Sequence, residues 1–103
     1  NDANHAPMIA LKNAQLIHAK PGDKIHLGIS VKDPDGDAFN VKWWQFSKLK
    51  SNPVLTLSSN KDLSTTVTVP QDARTNQTLF MVVEVEDKGK INLTSYKIIK
   101  ILI

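Results

Sequence analysis

Apolar side chains recur at every second position through most of this chain, and that period excludes most architectures before any motif is considered. Ile25, Leu27, Ile29 and Val31 alternate with His26, Gly28 and Ser30, the pattern of a strand with one face toward a core. Segments 39–46 and 79–86 repeat it, and segment 94–103 closes the chain with Ile98, Ile99, Ile101, Leu102 and Ile103. No long segment carries apolar residues at helical spacing, so no helix is expected. Breaks fall where turn chemistry is densest: Lys20-Pro21-Gly22-Asp23, Asp33-Pro34-Asp35-Gly36-Asp37, the stop at Pro70, and Asp87-Lys88-Gly89-Lys90. In these, proline presets φ and glycine accepts φ > 0.

The strands expected are Pro7–Leu11, continued by Gln15–Ala19 after a break at Lys12-Asn13-Ala14, then 25–31, Phe39–Phe46, Val54–Leu57, Ser64–Val69, Leu79–Glu86 and Thr94–Ile103. Seven to eight strands with turn signals every ~8–12 residues specify an all-β, immunoglobulin-like antiparallel β-sandwich. A tryptophan in the third main strand and a closing two-strand hairpin suit that strand order. With no cysteine in the chain, the tryptophan packs on aliphatics rather than on an inter-sheet disulfide.

At 103 residues the chain is one domain, 1–103, long enough to bury a core without a metal or disulfide staple. The 13 Lys/Arg are scattered among 10 Asp/Glu for a net charge of +3. No basic run with interleaved aromatics is present, so nucleic acid is not an expected partner. No stretch approaches the ~18 apolar residues of a membrane span. The opening Asn1-Asp2-Ala3-Asn4-His5 lacks the apolar stretch of a signal peptide, and the chain reads as a fragment of a larger protein.

Catalytic motifs are missing. There is no G-x-S-x-G, no P-loop and no cysteine nucleophile. The only glutamates, Glu84 and Glu86, share one face of one strand, whereas a glycosidase needs two carboxylates flanking a bond in a pocket. His5, His18 and His26 show no paired metal spacing. The expectation is a domain that is not an enzyme.

Two constellations stand out. Asp33, Asp35 and Asp37 alternate in a loop that can bring several hard oxygen ligands to one point, and Asp87 with Asn4 could complete a calcium shell. The alternative is an Asx-turn in which the aspartates accept backbone N–H bonds. An EF-hand is excluded, because its twelfth loop position, counted from Asp33, is Trp44.

The second constellation is an apolar outer face. Trp43 and Trp44 are neighbours in a strand and must point to opposite faces. With Val41 and Trp43 inward, Trp44 and Phe46 face out. The same parity puts Phe80 and Val82 outside on the next strand, and Tyr96 and Ile98 on the last. An antiparallel sheet in a two-layer sandwich ordinarily shows polar residues to water, so the patch Trp44, Phe46, Phe80, Val82, Tyr96, Ile98 implies a covering partner. A docked domain is one occupant, since aliphatic members supply shape without hydrogen bonds. A polysaccharide stacked on the aromatic rings is the other.

Asn4-His5-Ala6-Pro7, Pro21-Gly22-Asp23, Asp33-Pro34-Asp35-Gly36-Asp37, Trp43-Trp44-Gln45, Val67-Thr68-Val69-Pro70 and Glu84-Val85-Glu86-Asp87-Lys88-Gly89 together are similar to one known run: NxAP, a PG turn, DPDGD, WWQ, VTVP and E-V-x-D-x-G. It resembles that of the C-terminal immunoglobulin-like domain of a bacterial cellulose-binding protein family with a nucleoside-hydrolase-like N-terminal domain. DPDGD is shared, more distantly, with PKD and cadherin-like bacterial repeats. The resemblance implies a secreted or periplasmic, glycan-associated parent protein. It implies a non-catalytic accessory domain at the C-terminal end and the nucleoside-hydrolase-like domain as the neighbour in the same chain. A carbohydrate-binding module for plant-type polysaccharide is the alternative function.

Overall fold

The computed structural model describes residues 6–32, 38–46, 53–88 and 93–103. They form eight strands: β1 (Met8–Leu11), β2 (Leu16–His18), β3 (Lys24–Lys32), β4 (Phe39–Phe46), β5 (Thr56–Leu57), β6 (Ser64–Thr68), β7 (Thr78–Asp87) and β8 (Thr94–Leu102). One sheet has the order β1-β3-β6-β5 and the other β2-β8-β7-β4. This is the two-sheet arrangement of an immunoglobulin-like sandwich, and each long strand lies within two residues of its expected bounds. The inward alternates of both sheets meet in one core. Leu27 and Ile29 face Trp43, Leu79, Met81, Val83, Val85, Ile99 and Ile101, all at most 2% exposed.

The sandwich is not wholly antiparallel. β2 pairs parallel with β8, Leu16 opposite Lys100 and Ile17 opposite Ile101. The expected continuation of β1 into β2 holds along the chain but changes sheets. Asn13 makes the switch. Its side-chain amide donates to His26 O (2.8 Å) and its Oδ1 accepts from Gly28 N (2.8 Å), so a side chain finishes the ladder on β3 that the departing backbone leaves open. The chain then reaches the second sheet, where Lys100 N donates to Gln15 O and Ala19 N to Leu102 O, both at 2.8 Å.

The free edge of β4 is closed by the crossover to β5 and β6. Trp43 N donates to Asn60 O (2.9 Å) and its indole N–H to Asp62 O (2.7 Å). Gln45, on the inward parity, donates to Pro53 O (2.7 Å) and accepts from Leu55 N (2.8 Å). Sheet edges invite pairing with foreign strands unless covered. Here two residues of the Trp-Trp-Gln run tie down the cover.

The turn before β3 depends on Gly22, whose φ is +85° and whose N–H donates to Val69 O at 2.9 Å. An added Cβ would stand 2.5 Å from the Gln71 side-chain nitrogen. Gln71 is exposed and can swing away, so the lasting cost of Gly22→Ala is the left-handed backbone, about 1 kcal/mol. Urea denaturation should show that loss equally in a Gln71→Ala background; full recovery there would assign it to the side-chain clash instead.

Candidate functional site

The outer face of the β2-β8-β7-β4 sheet carries all six residues of the apolar patch. The register stacks them in rows. Trp44 lies opposite Val82 and Val82 opposite Ile98; Phe46 lies opposite Phe80, which is opposite Lys100, which in turn meets Leu16. One row further, Lys42, Glu84 and Tyr96 line up, and they mark where the face turns polar. A groove of about 1040 Å³ runs along these rows, and Leu16 and Leu102 line it too.

Local geometry explains the exposure of each side chain. Val82 is only 5% exposed although it faces away from the core, because Trp44 and Ile98 flank it in its row. The Trp44 indole N–H donates to Glu84 Oε1 at 2.6 Å, which satisfies the ring's one polar atom and fixes the ring over the sheet. Phe46 meets Trp44 edge to face (centroids 6.4 Å, 69°) and Phe80 likewise (6.3 Å, 72°). The rims are open: Phe46 is 42% exposed, Ile98 47%, Leu16 48% and Tyr96 58%. Leu16 escapes sequence reading, since its place on this face depends on the sheet switch at Asn13.

The opposite sheet presents a contrasting face. Lys24, His26 and Ser30 of β3, Ser64, Thr66 and Thr68 of β6, and Thr56 of β5 alternate with the inward residues, and His26 Nδ1 lies 2.9 Å from Thr66 Oγ1. One side of the sandwich is mostly polar, with Met8 of β1 its exposed apolar exception, and the other carries the apolar patch.

Of the five candidate calcium ligands, Asn4, Asp33, Asp35 and Asp37 lie outside the described residues. Asp87, the fifth, ends β7 and is fully buried, its N–H donating to Leu93 O at 2.8 Å. Among the described residues no three His, Cys, Asp or Glu side chains group as a metal site. Glu84 and Glu86 share the outward side of β7; Glu84 holds Trp44, and Glu86 pairs with Lys88 at 3.0 Å. Neither carboxylate is in a cleft.

A family model described as "Cellulose-binding protein Sde0182, C-terminal domain" matches residues 24–103. The chain belongs to that family. Trp43, Gln45 and the outer-face residues from Trp44 to Ile98 all lie inside the matched region. Among solved structures, a nucleoside hydrolase-related hypothetical protein from Saccharophagus degradans, associated with carbohydrate metabolism, superimposes with a TM-score of 0.87 at 26% identity. The match covers 97% of this chain but only 26% of that one. No curated protein matches. Among the described residues no helix is long and apolar enough to cross a membrane.

Proposed function

We propose that this domain is a non-catalytic accessory module of a secreted, glycan-associated bacterial protein. Its apolar sheet face docks on a nucleoside-hydrolase-related domain of the same polypeptide. The observation that carries the reading is the contiguous outer patch, in which aliphatic Val82, Ile98, Leu16 and Leu102 sit among the rings. Aliphatic surface of that extent supports a packed partner. Nearly three quarters of the similar solved chain lies outside the part matched by this domain, which supports a neighbouring domain as the occupant.

Direct glycan binding is the second reading, and the family's description as cellulose-binding favours it. The rings themselves do not. Trp44, Phe46 and Phe80 cross at 69° and 72°, so they make a ridged surface rather than the flat strip on which pyranose faces stack.

Hydroxyl-radical footprinting read residue by residue tests the docking. Trp44, Phe46 and Tyr96 should oxidise several-fold more slowly in the two-domain polypeptide than in the isolated chain, because a packed interface excludes water from its centre. Equal rates in both would remove the docking reading. Retention of the isolated chain on microcrystalline cellulose, abolished by Trp44→Ala with the fold intact, would favour the glycan reading.

A further inference from the structure

Within the two apolar rows stands a charge, Lys100, that no described residue answers. Lys100 is exposed on β8 and lies within the groove. It has apolar neighbours on all four sides: Ile98 and Leu102 two residues before and after it, Phe80 across on β7 and Leu16 across on β2. Among the described residues its ammonium has neither a hydrogen bond nor an ion pair. Among the described residues the nearest outward carboxylate by register is Glu84, on the next strand opposite Tyr96, which places it four residues, or about 13 Å, further along the strand axis. Glu84 is also engaged by the Trp44 indole.

A lysine at the rim of a docking face can lift its ammonium into water along an apolar stem. Lys100 is in the second of the two apolar rows with Leu16 beyond it toward the sheet edge, so a partner covering the patch covers the ammonium as well. Burying a cation without a counter-charge is far costlier than burying the hydrocarbon around it. A face that evolved only to meet apolar surface would have no use for this residue.

Building on the docking reading above, we propose that the surface covering this face carries a carboxylate placed opposite Lys100, and that this ion pair sets the register of the two domains. The occupant is the neighbouring nucleoside-hydrolase-related domain, and the feature to seek on it is an Asp or Glu set within an apolar patch. Such a pair would act chiefly on specificity, since a mis-registered apolar contact would leave both charges buried and unpaired.

Footprinting of the two-domain polypeptide decides this with three substitutions. Lys100→Arg keeps the charge and should leave Trp44 and Phe46 as protected as in the wild type. Lys100→Met keeps the stem and removes the charge, stranding the partner's carboxylate, and should raise their oxidation by at least about fivefold. Lys100→Glu should raise it further, by like-charge repulsion. Lys100 is exposed and has no ion pair among the described residues, so the unfolding midpoint of the domain should move little in any variant, which separates undocking from misfolding. Protection in Lys100→Met equal to or greater than that of the wild type would overturn the proposal, because it would put apolar surface opposite residue 100. That outcome leaves docking intact. Wild-type Trp44 no more protected than in the isolated chain would instead remove docking, and this pair with it.

Discussion

Trp43→Ala should destabilise the domain by about 4 kcal/mol, while Trp44→Ala should cost no more than about 1–2 kcal/mol, although the two residues are adjacent. Trp43 is 1% exposed at the centre of the core. Truncating it removes the largest buried side chain and leaves a cavity between two hydrogen-bonded sheets that can relax only in part. The Asp62 carbonyl that loses its indole donor belongs to an exposed residue and can turn to water, so the loss is chiefly one of packing. Against a typical stability of ~5–15 kcal/mol, Trp43→Ala brings the domain close to unfolding at ordinary temperature. Trp44 loses one side of its packing and the bond to Glu84, both at a surface. Urea denaturation followed by far-UV circular dichroism measures both. Equal losses would mean that the two rings are not divided between core and outer face.

The second large effect concerns a polar residue. Gln45→Leu should cost about 2–4 kcal/mol, although it replaces an amide with a hydrocarbon of similar size at an inward position. Gln45 holds Pro53 O and Leu55 N at once, and both residues are buried. Leucine leaves a donor and an acceptor without partners, and each orphaned buried group costs ~1–3 kcal/mol. The urea midpoint should fall with little change in slope, since the surface exposed on unfolding is nearly the same. An unchanged midpoint would mean that water takes over both bonds and that the amide is dispensable.

The two tryptophans also mark how far the sequence alone can be read. Parity along segments 39–46, 79–86 and 94–103 placed every outward residue on its correct side, because a period of two has only two phases and the core dictates one of them. Strand ends at Phe39 and Phe46 were legible from the flanking polar segments. What stayed hidden depends on particular side chains rather than on period. The change of sheet rests on the Asn13 amide, so Leu16 and the parallel β2–β8 pair could not be anticipated. β5 is shorter than Val54–Leu57 because the backbone at Leu55 bonds to Gln45 instead of to a ladder. Val82 reads as an outward valine, and its near-complete burial comes from the bulk of Trp44 and Ile98 beside it. The isolation of Lys100 likewise emerges only once the register sets Phe80 and Leu16 on either side of it.

The parallel pairing of β2 with β8 has a mechanical consequence. Tension between the two ends of the domain pulls β2 toward one pole and β8 toward the other, along their shared axis. The bonds joining Gln15 to Lys100 and Ala19 to Leu102 then bear load side by side instead of peeling one at a time. A hairpin pulled from its open end would unzip at low force, whereas this pair must slip as a unit. The short strand that leaves its sheet at Asn13 thereby serves as a clasp against extension.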